Sequence, residues 1–190
     1  MVTFTENKTG EKKSYVLYAK PLKLRVENPS GETKAEYLSA YLKENNKTGP
    51  VPFLETGKSA LIFLLDVSGS MLAEDFPQNR LSAGKNAVLK FIRKHPDISI
   101  GLITFGGKVT VLSTLSQSFD QLQAVAGSIP VRTPPEDGTA IGEAIFEACL
   151  EFSGYSGKKK IIVLLTDGSN NVGRFDALTG TDFALSEKIQ

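Results

Sequence analysis

The stretch Leu61-Ile62-Phe63-Leu64-Leu65-Asp66-Val67-Ser68-Gly69-Ser70-Met71 decides how the chain is read. Its five leading apolar residues show no alternation, which suits a strand of a parallel sheet covered on both faces. Ligands of such sheets bind in the crevice beyond the strands' carboxyl ends, and Asp66, Ser68 and Ser70 follow the run at that point. Gly69 permits a tight turn, so that the alternate side chains 66, 68 and 70 can converge on one point. All three offer hard oxygens, a composition that favours Mg²⁺, Mn²⁺ or Ca²⁺ over zinc or copper, which prefer His and Cys.

Working outward, residues 161–165 form a second fully apolar run, closed by Thr166-Asp167-Gly168, and so repeat the first pattern. Between the two runs, Leu81, Val88 and Ile92 mark one face of a helix. His95-Pro96 stops it, because the residue before proline is pushed out of helical geometry. Ile98, Ile100 and residues 102–105 read as a strand, Gly106-Gly107 as a two-residue hairpin turn, and Val109 and Val111 as an antiparallel return. A short helix follows at Phe119, Leu122 and Val125. A proline-rich loop then delivers Asp137-Gly138-Thr139 to a helix through Ile141, Ile145, Ala148 and Phe152, with Gly154 closing it. A last helix starts at Asp176 or Asp182. The predicted fold is a doubly wound α/β sheet with one antiparallel edge strand. Three loops bearing oxygen ligands, at Asp66-Ser68-Ser70, at Thr139 and at Asp167, leave it at points the topology brings together. Each residue also has an ordinary explanation: the aspartates could satisfy backbone amides, the serines could hold a turn, and Thr139 could cap the next helix.

Composition narrows the function classes. With 190 residues the chain supports one main core plus an appendage, here divided as residues 1–58 and 59–190. The net charge of +1 comes with no long basic block, which argues against nucleic acid as a partner. A single Cys149 in a helical pattern reads as core packing, and a single His95 leaves a zinc cluster or a Ser/His/Asp triad little to build from. No apolar run approaches the ~20 residues needed to cross a bilayer, and the polar start is not a signal peptide. A cytoplasmic location is the default expectation. In the first 58 residues, Leu22, Leu24 and Val26 alternate like a half-exposed edge strand, and Ala35, Leu38, Tyr41 and Leu42 fall at helical spacing.

Asp66-Val67-Ser68-Gly69-Ser70, Thr139 and Asp167-Gly168 together resemble the metal-ion-dependent adhesion site (MIDAS) of von Willebrand factor type A domains. Longer matches, Met71-Leu72-Ala73-Glu74-Asp75-Phe76, Asn79-Arg80-Leu81 and Asp137-Gly138-Thr139-Ala140-Ile141-Gly142, look like the Bat (aerotolerance) branch of bacterial type A domains. The resemblance covers roughly residues 60–180. It implies a Rossmann-like sheet and a divalent cation, Mg²⁺ before Mn²⁺ or Ca²⁺, held by Ser68, Ser70 and Thr139 directly or nearly so and by Asp66 and Asp167 largely through water. It implies a protein-binding module without a chemical step, whose cation accepts Asp or Glu from a partner protein. Bat proteins carry membrane-spanning segments, so a fragment of one would be membrane-associated. The type A fold also continues beyond the position of Gln190, which makes the outer edge of the 161–165 strand an expected bare edge.

The rival is a Mg²⁺-dependent phosphatase with Asp66 as nucleophile. That chemistry needs an acidic residue two places on as general acid, and Ser68 stands there. A metal-free scaffold of the same fold is the third expectation.

Overall fold

Strand β1 (Ser59–Asp66) lies inside a four-stranded sheet of order β3-β2-β1-β4, with β2 (Ser99–Phe105), β3 (Val109–Ser116) and β4 (Lys159–Leu165). The computed structural model describes residues 59–130, 137–153, 155–157 and 159–190. The expected strand at 22–26, the helix at 35–42 and the stop at Gly154 lie outside them. β1 pairs in parallel with both β2 and β4, whereas β3 returns antiparallel to β2. The sheet is therefore the mixed, Rossmann-like one expected, with its antiparallel strand at an edge.

The helices follow from local signals. Helix α1 (Arg80–Lys94) starts at Asn79, whose side chain accepts the Ser82 N–H at 2.8 Å, and ends at His95 with Arg93 and Lys94 in its last turn. An amide oxygen at the N-cap and cations at the C-terminus both satisfy the polarity of a helix. Ser118 caps α2 (Phe119–Ser128), and Asp176 caps α4 (Ala177–Ser186) by accepting the Thr179 N–H at 2.7 Å. Helix α3 (Ile141–Glu151) crosses α4 closely: a Cβ on Gly180 would stand 2.8 Å from the Gly142 carbonyl oxygen.

Successive side chains of β1 point to opposite faces, and both faces are covered. Leu61, Phe63 and Leu65 pack with Leu81, Val88 and Ile92 of α1 and Leu122 and Ala126 of α2. Ala60, Ile62 and Leu64 pack with Ile141, Ala144, Ile145 and Ala148 of α3 and Ala184 of α4. This double burial is why the strand carries no polar alternation until Asp66; each large aliphatic side chain so buried contributes roughly 1.5–3 kcal/mol. Cys149 is buried in the second cluster, as its sequence context suggested.

Three details differ from expectation. Phe105 pairs with Val109, so the hairpin loop holds Gly106, Gly107 and Lys108 and is closed by Gly106 N–H to the Lys108 carbonyl at 3.1 Å. A two-residue type I′ turn needs positive φ at both central residues, and neither glycine takes it. Ile98 precedes the strand, with its N–H bonded to the His95 carbonyl. At the β4 edge, Gln190 donates its N–H to the Lys160 carbonyl at 2.9 Å and accepts the Ile162 N–H at 2.7 Å. That pattern is one parallel bridge opposite Ile161, so the edge expected to be bare is engaged at that point.

Candidate metal centre

Asp66, the last residue of β1, is completely buried, and both its carboxylate oxygens are engaged. Oδ1 accepts the Ser68 N–H at 2.8 Å, which folds the loop back on its own strand, and Oδ2 accepts the Thr166 hydroxyl at 2.5 Å. Thr166 immediately follows β4, so this bond ties together the carboxyl ends of two adjacent parallel strands. The loop then tightens into a 3₁₀ turn (Gly69–Leu72), pinned by the buried Met71 and by Met71 N–H to the Ser68 carbonyl at 3.1 Å.

This turn presents its hydroxyls side by side. Ser68 Oγ lies 3.1 Å from Ser70 Oγ, and Ser70 donates to Asp167 Oδ1 at 2.8 Å. Asp66, Ser68, Ser70 and Asp167 thus belong to one connected polar network. Thr139 arrives from the third loop. It is 4% exposed, and a Cβ on Gly168 would stand 3.5 Å from its Oγ1, so the threonine lies against the residue that follows Asp167.

Side chains outside the expected set hold the loops in register. Asp137 Oδ1 accepts the Gly69 N–H at 3.1 Å and the Gly138 N–H at 2.8 Å, joining the first loop to the second. Gly138 has φ +124, a conformation that favours glycine and turns the chain between Asp137 and Thr139. Asn171 brackets Thr139: its Oδ1 accepts the Thr139 N–H at 2.8 Å, and its own N–H donates to the Thr139 carbonyl at 3.1 Å. The expected role of Thr139 as a helix cap does not hold. The N-cap position of α3 is Ala140, which has no capping side chain, and Asn170 Oδ1 takes the Gly142 N–H at 2.9 Å instead.

Among the described residues one cation, Arg80, pairs with the site. Arg80 directs Nε and Nη2 to Asp75, with contacts of 2.8 Å from Nε to Oδ1 and 2.8 Å from Nη2 to Oδ2, and its Nη1 hydrogen-bonds to Asp167 Oδ2. The bonds to Asp75, and after them the bond to Asp167, raise the guanidinium above its already high pKa. The Gly69 and Gly138 amides hold the Asp137 carboxyl below its ordinary value.

Two carboxylates and three hydroxyls make a donor set of hard oxygens only. Among the described residues no three His, Cys, Asp or Glu gather into a metal-binding cluster, so a cation here would depend on hydroxyl and water ligands. That chemistry suits a hard divalent ion. Sequence reasoning missed Arg80, Asp137, Thr166, Asn170 and Asn171 as parts of the site. The available signal was their position, within three residues of an expected ligand for Asp137 and Thr166, and beside the acidic Glu74-Asp75 loop for Arg80.

A family model described as the von Willebrand factor type A domain matches residues 61–170, more than half the chain. The chain belongs to the von Willebrand factor type A domain family. It is 32% identical over 124 residues to a UPF0353 protein of Mycolicibacterium paratuberculosis, a match covering 60% of this chain and 36% of that protein. The chain thus spans about a third of the length of the curated relatives it matches. BatB from Bacteroides thetaiotaomicron superposes with a TM-score of 0.63 at 30% identity, over 70% of this chain and 64% of BatB. Proximal thread matrix protein 1 from the mussel byssus, solved with a zinc-occupied MIDAS motif, gives 0.59 at 25% identity, over 70% of this chain and 34% of its own. The likeness to the bacterial Bat branch thus holds in sequence and in fold. Among the described residues no helix is long and apolar enough to cross a membrane.

Proposed function

We propose that this type A domain is a metal-ion-dependent protein-interaction module, with Asp66, Ser68, Ser70, Thr139 and Asp167 holding a divalent cation, Mg²⁺ by preference. The observation that carries the reading is the polar network at the carboxyl ends of β1 and β4, in which Ser70 bridges Ser68 and Asp167 while Thr139 lies against Gly168. A bound divalent cation supplies positive charge and a coordination position for a carboxylate. The hydroxyls of Ser68, Ser70 and Thr139 are the direct ligands. Asp66 acts from behind them, since its two oxygens already accept the Ser68 amide and the Thr166 hydroxyl. With few carboxylates in direct contact, the cation keeps much of its charge, and an Asp or Glu of a partner protein completes its coordination. The mussel protein with zinc in its MIDAS motif supports cation binding at such a motif in a relative of this fold.

The phosphatase alternative is disfavoured by the same geometry. A nucleophilic carboxylate needs an oxygen open to substrate, whereas Asp66 has no exposed surface and no unengaged oxygen. Binding without a chemical step is the reading that fits.

The test is a pull-down with and without EDTA, repeated with a Ser68→Ala, Ser70→Ala variant and with Thr139→Ala. A partner released both by EDTA and by the substitutions is the expected result; a complex undisturbed by chelation overturns carboxylate bridging. Thr139→Ala should abolish capture while changing stability by less than ~1 kcal/mol, because the hydroxyl caps no helix.

A further inference from the structure

Arg80 opens α1 next to the candidate ligands, and among the described residues it is the one cation paired with any of them. Two features fix it there. Its backbone N–H donates to the Ala73 carbonyl at 3.1 Å, which closes the acidic loop onto the start of the helix. Its side chain grips Asp75 on one side through both Nε and Nη2, and Asp167 on the other through Nη1. A guanidinium does not lose its proton in proteins, and its planar fork matches a carboxylate in a way that no single rotation preserves. Arg80 is therefore a permanent positive charge tethered to Asp75 and applied to Asp167.

Asp167 has two oxygens, and the structure uses them for different purposes. Oδ1 accepts the Ser70 hydroxyl and so faces the serine pair, while Oδ2 accepts Arg80. The Asp167 side chain is 13% exposed, so solvent screens this contact only in part. Any positive charge placed by the serines meets both the carboxylate that attracts it and the guanidinium that repels it.

We propose that Arg80 is a built-in counter-cation of the site: it draws on the same Asp167 carboxylate as a divalent cation would, so that each weakens the other's hold. The inference rests on the proposed cation-binding role of these loops and adds a residue that tunes their affinity. A purely positioning Arg80, whose task was to aim Asp167 at the metal, would have the opposite sign, because its removal would weaken cation binding. Like charges at this range repel by an amount that falls steeply with the local dielectric, which makes the direction of the effect the deciding readout.

The experiment is calorimetric titration of the full chain with Mg²⁺ and with Mn²⁺, comparing the unaltered protein, Arg80→Gln, Arg80→Lys and Arg93→Gln, with circular dichroism melts to establish that each is folded. Arg93 removes the same charge from the far end of the same helix, roughly 20 Å away at 1.5 Å per residue. Arg80→Gln should tighten cation binding about tenfold, a change that one nearby unit charge readily produces, while Arg80→Lys, which keeps the charge without the fork, gains less than Arg80→Gln and Arg93→Gln stays within about twofold of the parent. Equal or weaker binding by Arg80→Gln overturns the proposal, as does an equal gain in Arg93→Gln. If Arg80→Gln does not fold, Arg80→Met, which keeps the apolar stem and deletes the charge, takes its place and should tighten cation binding to the same extent; equal or weaker binding overturns the inference. An unaltered protein that binds neither ion removes the cation site itself, a result distinct from one in which binding occurs and Arg80 is indifferent to it.

Discussion

Asp66 is fully buried, among the described residues no cation pairs with it, and its two oxygens accept the Ser68 amide and the Thr166 hydroxyl. Removing one donor from a buried acceptor costs about 1–3 kcal/mol. Thr166→Val, which keeps the shape and deletes the hydroxyl, should destabilise the domain by about that amount in a urea melt, while Thr166→Ser should restore most of the loss. Asp137 titrates in the opposite setting, on an exposed loop. Because its folded-state carboxyl is held below the ordinary value of 3.8 by the Gly69 and Gly138 amides, its contribution to stability is present above that value. It is lost as the pH falls through the lower folded value. A nuclear resonance titration should place Asp137 below 3.8 and show the Gly69 amide moving with it, and in Asp137→Asn that amide should not titrate. At this scale the sequence was only partly legible. Asp66, Ser68, Ser70 and Asp167 stood out because they end apolar strands or repeat at every second position. Thr166, Asn170 and Asn171 did not, since threonine and asparagine after a strand are common in any turn, and their partners lie far away in the chain.

Among the elements, the four α-helices of the described residues start by three local caps and one distant one. Asn79, Ser118 and Asp176 each accept an amide within their own helix's first turn. The apolar spacing places the first two helix starts; the cap geometry settles the last at Asp176, where the sequence leaves Asp176 and Asp182 both open. Helix α3 has no such signal. Its first turn borrows Asn170 Oδ1 from the loop after β4, so the cap became visible only once the strands were aligned. Asn170 also donates Nδ2 to the carbonyls of Val172 and Phe175, holding its own loop in place. Asn170→Ala should therefore cost more than the ~1 kcal/mol of an ordinary cap, and the protection of the Gly142 amide against hydrogen exchange should fall. A loss confined to the helix terminus, with the Asn171 and Thr139 amides unaffected, would show that cap and loop are independent. The same logic explains the hairpin: two adjacent glycines suggested the shortest turn, but the pairing of Phe105 with Val109 set the loop length.

For the molecule as a whole, the strand order came only with the structure, but the mixed sheet and its antiparallel return were legible, because double burial erases alternation in β1 while partial exposure restores it in β3. The β4 edge was less so. Gln190 engages the Lys160 carbonyl and the Ile162 amide, while the Leu164 amide, two residues on and facing the same way, has no backbone partner among the described residues. Hydrogen exchange should accordingly be slow at Ile161 and Val163, which face β1, intermediate at Ile162 and fast at Leu164. Deleting Gln190 should bring Ile162 to the rate of Leu164; an unchanged Ile162 would mean that another segment protects that edge.

The bonds that build the cation site join residues far apart in the chain: Ser70 meets Asp167 across 97 positions and Asp66 meets Thr166 across 100. Contacts of such high order come late in folding, because the entropy of closing a long loop must be overcome before they form. No nascent or half-folded chain therefore displays the complete constellation, and a probe that recognises it would count only molecules in which β4 has already docked beside β1.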